Sequence, residues 1–280
     1  MKFFRESVKG LCVGRFRSGK TFTCTSAFNA TGELDGTRYN ILHPALYVDV
    51  EGGTMSMGPM LGQPESLVKY VGVKTLDDFH GAMDLAETGA YRLAIFDGWS
   101  HLYIRFAQQA RAEGRGSKSK NMGWNNAAAD DVMMALERWF NLAVMPATRG
   151  MILLSTAALT DNWVGEQDNR HVEGEKIKVS PRVEDRLIGG HNFVWHSTRI
   201  DPSPIVDATG QLDIAATNAA MKAGQLAPRF ITFTQPFAGM HYVKSQAGFA
   251  SDIDAIIERA DLGAILSQHH NLHGIKTLTT

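Results

Sequence analysis

The chain reads as an α/β protein: a mainly parallel, twisted sheet with helices on both faces and some antiparallel strands toward its C-terminal end. Three observations carry that reading. Apolar runs of strand length alternate with helix-length segments from residue 8 to residue 157. The run Leu93-Ala94-Ile95-Phe96 is apolar without alternation, as expected where helices cover both faces of a sheet. The Gly-rich stretch "GRFRSGKT" (14–21) falls between a strand and a helix.

Each element follows from its residues. "VKGLCVG" (8–14) is a short buried strand, followed by the Gly-rich loop and a helix over roughly 19–29. "ALYVDVEGG" (45–53) is a second strand ending on a carboxylate and two glycines, and "SLVKYVGV" (66–73) is a third. "TLDDFHGAMDLAETG" (75–89) predicts a capped helix, with Thr75 before acidic first-turn residues and Gly89 at its end. "YRLAIFDG" (91–98) is the fourth strand, and a helix follows over 99–112. A polar basic loop (113–124) leads to a long helix over roughly 126–145, then to the buried strand "GMILLSTA" (150–157). Beyond residue 158 the character changes. The polar segment 159–181 reads as a loop or a hairpin, and "HNFVWHSTR" (191–199) reads as a strand. Residues 201–227, rich in Pro, Asp and Ala, form an excursion. "RFITFTQ" (229–235) and "MHYVKSQ" (240–246) alternate like antiparallel strands, and "DIDAIIERADLGAIL" (252–266) predicts a closing helix. One domain over 1–268 with a flexible tail over 269–280 is the expected organisation, without internal repeats.

The bulk numbers set limits. With 44% apolar and 20% charged residues among 280, the composition is that of a soluble globular domain able to bury a core. No apolar run is long enough to cross a bilayer, so no membrane partner is expected. "MKFFRESVKG" does not read as a secretory signal, and Cys12 and Cys24 lack metal-like spacing, so reduced thiols in a cytoplasmic protein are expected. A net charge of −1 argues against a constitutive non-specific nucleic-acid binder. Any such binding must come from a local patch or from several subunits sharing a strand.

The chemistry starts in the loop. Gly14, Gly19, Lys20 and Thr21 satisfy G-x-x-x-x-G-K-[ST], so Gly14, Arg15, Phe16, Arg17, Ser18, Gly19, Lys20, Thr21 and Phe22 are the expected nucleotide-binding residues. The glycines let backbone N–H groups wrap phosphate oxygens. Lys20 reaches the β and γ phosphates, and Thr21 ligates Mg²⁺. ATP and Mg²⁺ are the implied cofactors. Hydrolysis also needs a carboxylate for the metal shell and a base for the attacking water. Asp97 and Glu51 each end a strand, where an open parallel sheet gathers its ligands. Asp97 suits the metal shell and Glu51 the water. Asp49 competes with Glu51 but lies two residues earlier, on the same face and deeper in the sheet.

At this point the residues resemble a known family. "YVDVEGGT" is similar to the strand carrying the catalytic glutamate of RecA/RadA-type recombinases, and "LAIFDGWSHLY" resembles their Walker B strand and following helix. The order is also theirs: phosphate loop, glutamate strand, Walker B strand, then "GMILLST". The match covers about residues 8–160 and extends more weakly to 266. The loop begins at residue 14, and the chain resembles the compact RecA-like P-loop ATPases of phages that act as single-strand annealing proteins. The resemblance implies a RecA-like core, ATP hydrolysis, single-stranded DNA as partner, and a homo-oligomer, either ring or filament, in the bacterial cytoplasm. A single-strand binding protein is a further implied partner. RecA-type sites lie between subunits and take a cation from the neighbour, and the resemblance puts Lys244 in that catalytic role, with Gln246 at the second cation position. The chain departs from the family at its sensor, where Ser155, Thr156 and Ala157 stand in place of a glutamine. Either Thr156 substitutes, or the coupling between nucleotide and DNA loops runs differently.

The segment 105–126 holds Arg105, Arg111, Arg115, Lys118 and Lys120 against Glu113 alone, with Trp124 as an aromatic surface. Basic, Gly/Ser-rich and carrying a stacking ring, it suits a single-stranded backbone and its bases. Arg111, Arg115, Lys118, Lys120 and Trp124 are therefore the expected DNA contacts, where the resemblance places the first DNA loop. The 159–181 segment falls where the second would be, with mixed charge. The rival readings are a DNA-translocating motor (a helicase or packaging ATPase), a nucleotide switch without DNA activity, and a small-molecule kinase.

Overall fold

The computed structural model describes residues 7–34, 37–52, 67–115, 123–164, 171–234, 256–258, 262–263 and 266. Strand β1 (Lys9–Gly14) runs into the Gly-rich loop and helix α1 (Lys20–Thr25), which a 3-10 turn (Ser26–Asn29) extends. A two-stranded hairpin, β2 (Thr31–Leu34) and β3 (Thr37–Asn40), precedes β4 (Ala45–Asp49). Then come β5 (Val68–Gly72), α2 (Leu76–Glu87), β6 (Leu93–Asp97), α3 (Trp99–Ala112) and α4 (Gly123–Asn141). The long strand β7 (Ile152–Val164) pairs with β8 (His171–Ile177), and α5 (Pro181–Gly190), β9 (Phe193–Ile200), α6 (Ile214–Lys222), β10 (Arg229–Phe233) and β11 (Ile256–Glu258) follow.

Nine strands form the main sheet, in the order β11-β10-β9-β1-β7-β6-β4-β5, with β8 added to β7. From β9 to β5 every pairing is parallel, while β8, β10 and β11 are antiparallel. The expected class, an α/β protein with a mostly parallel mixed sheet, is what forms. Both faces are covered. Leu11, Val13, Val48, Phe96 and Leu153 pack into the core under α2, α3, α4 and α5. Cys12, Tyr47, Leu93, Ile95 and Leu154 face the other way, against Cys24, Ala27 and Phe28 of the α1 segment. Alternate residues of one strand thus feed opposite cores, which explains the unbroken apolar runs.

The cap read at Thr75 is complete. Thr75 Oγ1 accepts from Asp78 N at 3.1 Å, and Asp78 Oδ2 accepts from Thr75 N at 2.8 Å. Both N-terminal orphan donors are satisfied reciprocally. An aromatic knot lies behind β6. The Phe96 and Trp99 rings stack with centroids 4.0 Å apart, and Phe79 and Trp139 close around them. Each fully buried ring of this size contributes about 1.5–3 kcal/mol. Because Trp99 is two residues beyond Asp97, the knot also fixes the turn carrying the site.

The structure departs from the sequence reading in several elements. The strand expected over 150–157 continues to Val164, and its end pairs antiparallel with β8 from Leu159↔Ile177 to Val164↔His171, in keeping with the second of the two readings of 159–181. Helix α5 and the β2–β3 hairpin were not foreseen; α5 starts on Pro181, a residue favoured at the first helical position. Within the excursion, Asp213 caps the short helix α6 by accepting from Ala216 N. The closing helix expected over 252–266 is corrected in its first part: Ile256–Glu258 is a strand, paired with β10 at Ile231↔Glu258 and Phe233↔Ile256, while residues 262, 263 and 266 are helical. A sheet edge offers unpaired backbone groups to a β-branched pair, and that tertiary pairing overrides the local helical pattern. Residues 240–246, with Lys244 and Gln246, and the tail 269–280 lie outside the described residues.

Candidate phosphate-binding and hydrolytic site

The loop forms where the strand–loop–helix pattern requires it. Gly19 has φ 90°, a left-handed conformation that suits glycine, and caps α1. Arg17 also takes a positive φ, 63°, an uncommon state for a residue with a Cβ. Gly14 allows close approach: a Cβ there would meet Ser197 O at 2.2 Å and Ser18 Oγ at 2.4 Å. Lys20 is only 6% exposed, and its Nζ donates to Arg15 O at 3.0 Å. Ser18 Oγ is buried and has no hydrogen-bond partner. A buried ammonium held by one neutral carbonyl, beside an unpartnered hydroxyl, is a donor set that fits an anion. Phe16 is 76% exposed with the Arg17 guanidinium over its ring, and Phe22 is also exposed.

Sheet register brings the acidic residues to this loop. Asp49, Asp97, Thr156 and Cys12 sit at one level across β4, β6, β7 and β1, so they share a face. Asp97 is 1% exposed and accepts three hydroxyl hydrogen bonds: from Thr21 Oγ1 at 2.9 Å, Tyr47 OH at 2.5 Å and Thr156 Oγ1 at 2.5 Å. Burial pushes its pKa up, the Glu51 charge adds to this, and the three hydroxyls pull the other way. Thr21 and Asp97, expected to share a metal, are thus brought into contact. Among the described residues there is no cluster of three or more His, Cys, Asp or Glu side chains arranged to enclose a metal. A divalent ion here would take oxygen from Thr21, from the region of Asp97, from water and from phosphate.

Glu51 lies just beyond the end of β4, held over the β6–α3 turn by the Val50 N to Asp97 O hydrogen bond of 3.0 Å. Burial raises its pKa, but His101 and the Lys20 charge outweigh that, and the net shift is downward. Glu51 is therefore a carboxylate at neutral pH. Asp49 is otherwise engaged: its Oδ1 accepts from Gly52 N at 2.8 Å and its Oδ2 from Tyr70 OH at 2.6 Å. It shapes the turn that carries Glu51.

Thr156 donates to Asp97; Ser155 points to the opposite face, where its Oγ lies 2.7 Å from His191 Nε2. Arg15 reaches in the other direction. Its guanidinium pairs with Asp161 on β7 and Glu175 on β8, tying the loop to that pair of strands. Of the expected DNA contacts, Arg111 is exposed at the C-terminal end of α3. Arg115 pairs with Glu113 at 2.5 Å and with Asp131 at 2.9 Å, and Trp124 is half-buried against the core. Lys118 and Lys120 lie outside the described residues. Cys12 and Cys24 are buried free thiols. Sequence reading gave no role at the site to Tyr47, His101, Asp161 or Glu175, because strand register brings Tyr47 to Asp97, the α3 turn brings His101 to Glu51, and the β7–β8 pairing brings Asp161 and Glu175 to Arg15.

Among the described residues no helix is long and apolar enough to cross a membrane. No protein-family model and no curated protein matches this chain.

Proposed function

We propose that the chain is a Mg²⁺-dependent, RecA-type ATPase that binds single-stranded DNA and promotes strand annealing or recombination in a phage setting. One observation carries the ATPase part: Lys20, Thr21, Asp97 and Glu51 converge at the C-terminal edge of a parallel sheet, with β7 placed between the loop strand β1 and the Asp97 strand β6. That inserted strand supports a RecA-like arrangement. The DNA part rests on the family resemblance and on the basic segment 105–126.

In this reading Lys20 would leave the Arg15 carbonyl for the phosphate chain, and Thr21 and Asp97, now hydrogen-bonded to each other, are the residues that would hold a divalent ion. A bound Mg²⁺ would supply neutralisation of the charge building on the phosphate oxygens. Glu51 orients a water and takes its proton as the water oxygen bonds to the γ-phosphorus. The bond from that phosphorus to the β-phosphate bridging oxygen breaks, and ADP and phosphate leave. Tyr47 and Thr156 hold Asp97 in place throughout.

The test is ATP hydrolysis measured with and without single-stranded DNA at several salt concentrations. Hydrolysis that DNA stimulates, with salt-sensitive binding, is expected. Hydrolysis without either effect refutes the DNA part and leaves the nucleotide site. Annealing is read separately: two complementary strands should pair faster with the protein than without it. Unwinding instead of pairing would favour a motor.

A further inference from the structure

His101 has no role in the chemistry so far, yet it stands beside the proposed base. It belongs to the first turn of α3, and its Nδ1 lies 2.9 Å from Glu51 Oε1. That nitrogen is cut off from solvent and completes no aligned hydrogen bond; the Glu51 carboxylate is the group that lies within reach of it. A buried polar nitrogen without a partner costs about 1–3 kcal/mol, so its place against a carboxylate calls for a reason. Gly98 supplies the other half of the arrangement. With φ 121°, it would put a Cβ 2.9 Å from Glu51 Cγ and 3.3 Å from Val50 Cβ. The missing side chain is thus the seat on which Glu51 rests, and His101 stands at the end of it. Lys20 and Asp97 are the other charged groups that act on Glu51.

We propose that His101 is a positioning residue for Glu51: from the first turn of α3 it grips the carboxylate that Gly98 seats, and so fixes the base against the attacking water. This rests on the hydrolytic reading above. A base held in one orientation reacts from a larger fraction of its conformers. The contribution therefore falls on kcat and leaves nucleotide binding alone, because His101 touches neither the loop nor Thr21 among the contacts described.

Four proteins decide it: the wild type, Glu51→Gln, His101→Ala and His101→Asn. Asparagine keeps a nitrogen donor where Nδ1 stands and loses the rest of the ring. His101→Ala is expected to lower kcat about 10-fold or more with KM for ATP within about 2-fold, and His101→Asn to recover most of that loss. An unchanged kcat in His101→Ala, or a loss that His101→Asn leaves in place, overturns the proposal. The grip is also read without turnover. The ¹³C carboxyl resonance of Glu51, identified by its absence in Glu51→Gln, should titrate at higher pH in His101→Ala than in the wild type. An unmoved titration overturns the proposal as well. If the wild type hydrolyses no ATP, the ATPase reading falls, and the titration still decides whether His101 holds Glu51.

Discussion

Gly14→Ala is a demanding test of the loop, because the structure specifies what the added carbon meets. The new Cβ would stand 2.2 Å from Ser197 O, a backbone atom of the neighbouring β9, and 2.4 Å from Ser18 Oγ. Ser18 can rotate; the β9 carbonyl cannot move without shifting the strand. An ordinary carbon–oxygen contact needs about 1 Å more than this, so the end of β1 or the loop itself must yield. Overpacking of this kind costs about 1–3 kcal/mol. The displaced segment also carries Arg15 O, the atom that holds Lys20. Gly81→Ala is the control: Gly81 lies inside α2, and nothing lies within 4 Å of its added Cβ. That change should stabilise by about 0.5–1 kcal/mol through helix propensity. The assays are urea unfolding and titration with a fluorescent ATP analogue. Gly14→Ala should lower the unfolding midpoint and weaken nucleotide binding at least about 10-fold, which is about 1.4 kcal/mol. Gly81→Ala should raise the midpoint and leave binding unchanged. A Gly14→Ala protein with wild-type stability and affinity would refute the close-approach argument.

Other outcomes follow from the same geometry. Glu51→Gln should keep nucleotide affinity and lose about 10²–10⁴-fold in turnover, measured by phosphate release, since only the proton acceptor is removed; retained turnover would point to a different base. Asp97 has a raised folded pKa, so its share of stability is complete below the unfolded value and declines as pH rises through the folded one. The stability of the wild type relative to Asp97→Asn should therefore fall as pH rises above the ordinary carboxylate range, about pH 4, read from urea midpoints, while the variant loses Mg²⁺-dependent hydrolysis. Arg15→Ala removes the pairs to Asp161 and Glu175, and half-exposed pairs of this kind contribute about 0–1 kcal/mol. Hydrogen exchange over β7–β8 should quicken with little change in the global midpoint; unchanged exchange would mean that the loop does not restrain those strands.

The sequence pointed to the residues of the proposed site because its signals are local. Four residues of "GRFRSGKT" are tied to one loop geometry, and Asp97 and Glu51 announce themselves by ending apolar strands. The cap at Thr75 and the bounds of α3 are equally local, set by side chains within one helical turn. The β11 strand was misread for the opposite reason. "DAIIERA" has a helical pattern on its own, and only the edge of β10 makes extension favourable.

By itself, then, the sequence determined the α/β class and singled out the Gly-rich loop and the two strand-end carboxylates of the proposed site, since each depends on backbone preferences or spacing within a few residues. The tertiary structure decided which groups those residues meet. Strand order and register put Tyr47 and Thr156 on Asp97, the β7–β8 pairing put Asp161 and Glu175 on Arg15, and the α3 turn put His101 on Glu51. Those partners lie up to 160 residues apart in the chain, and no local pattern encodes a contact made only when the sheet closes.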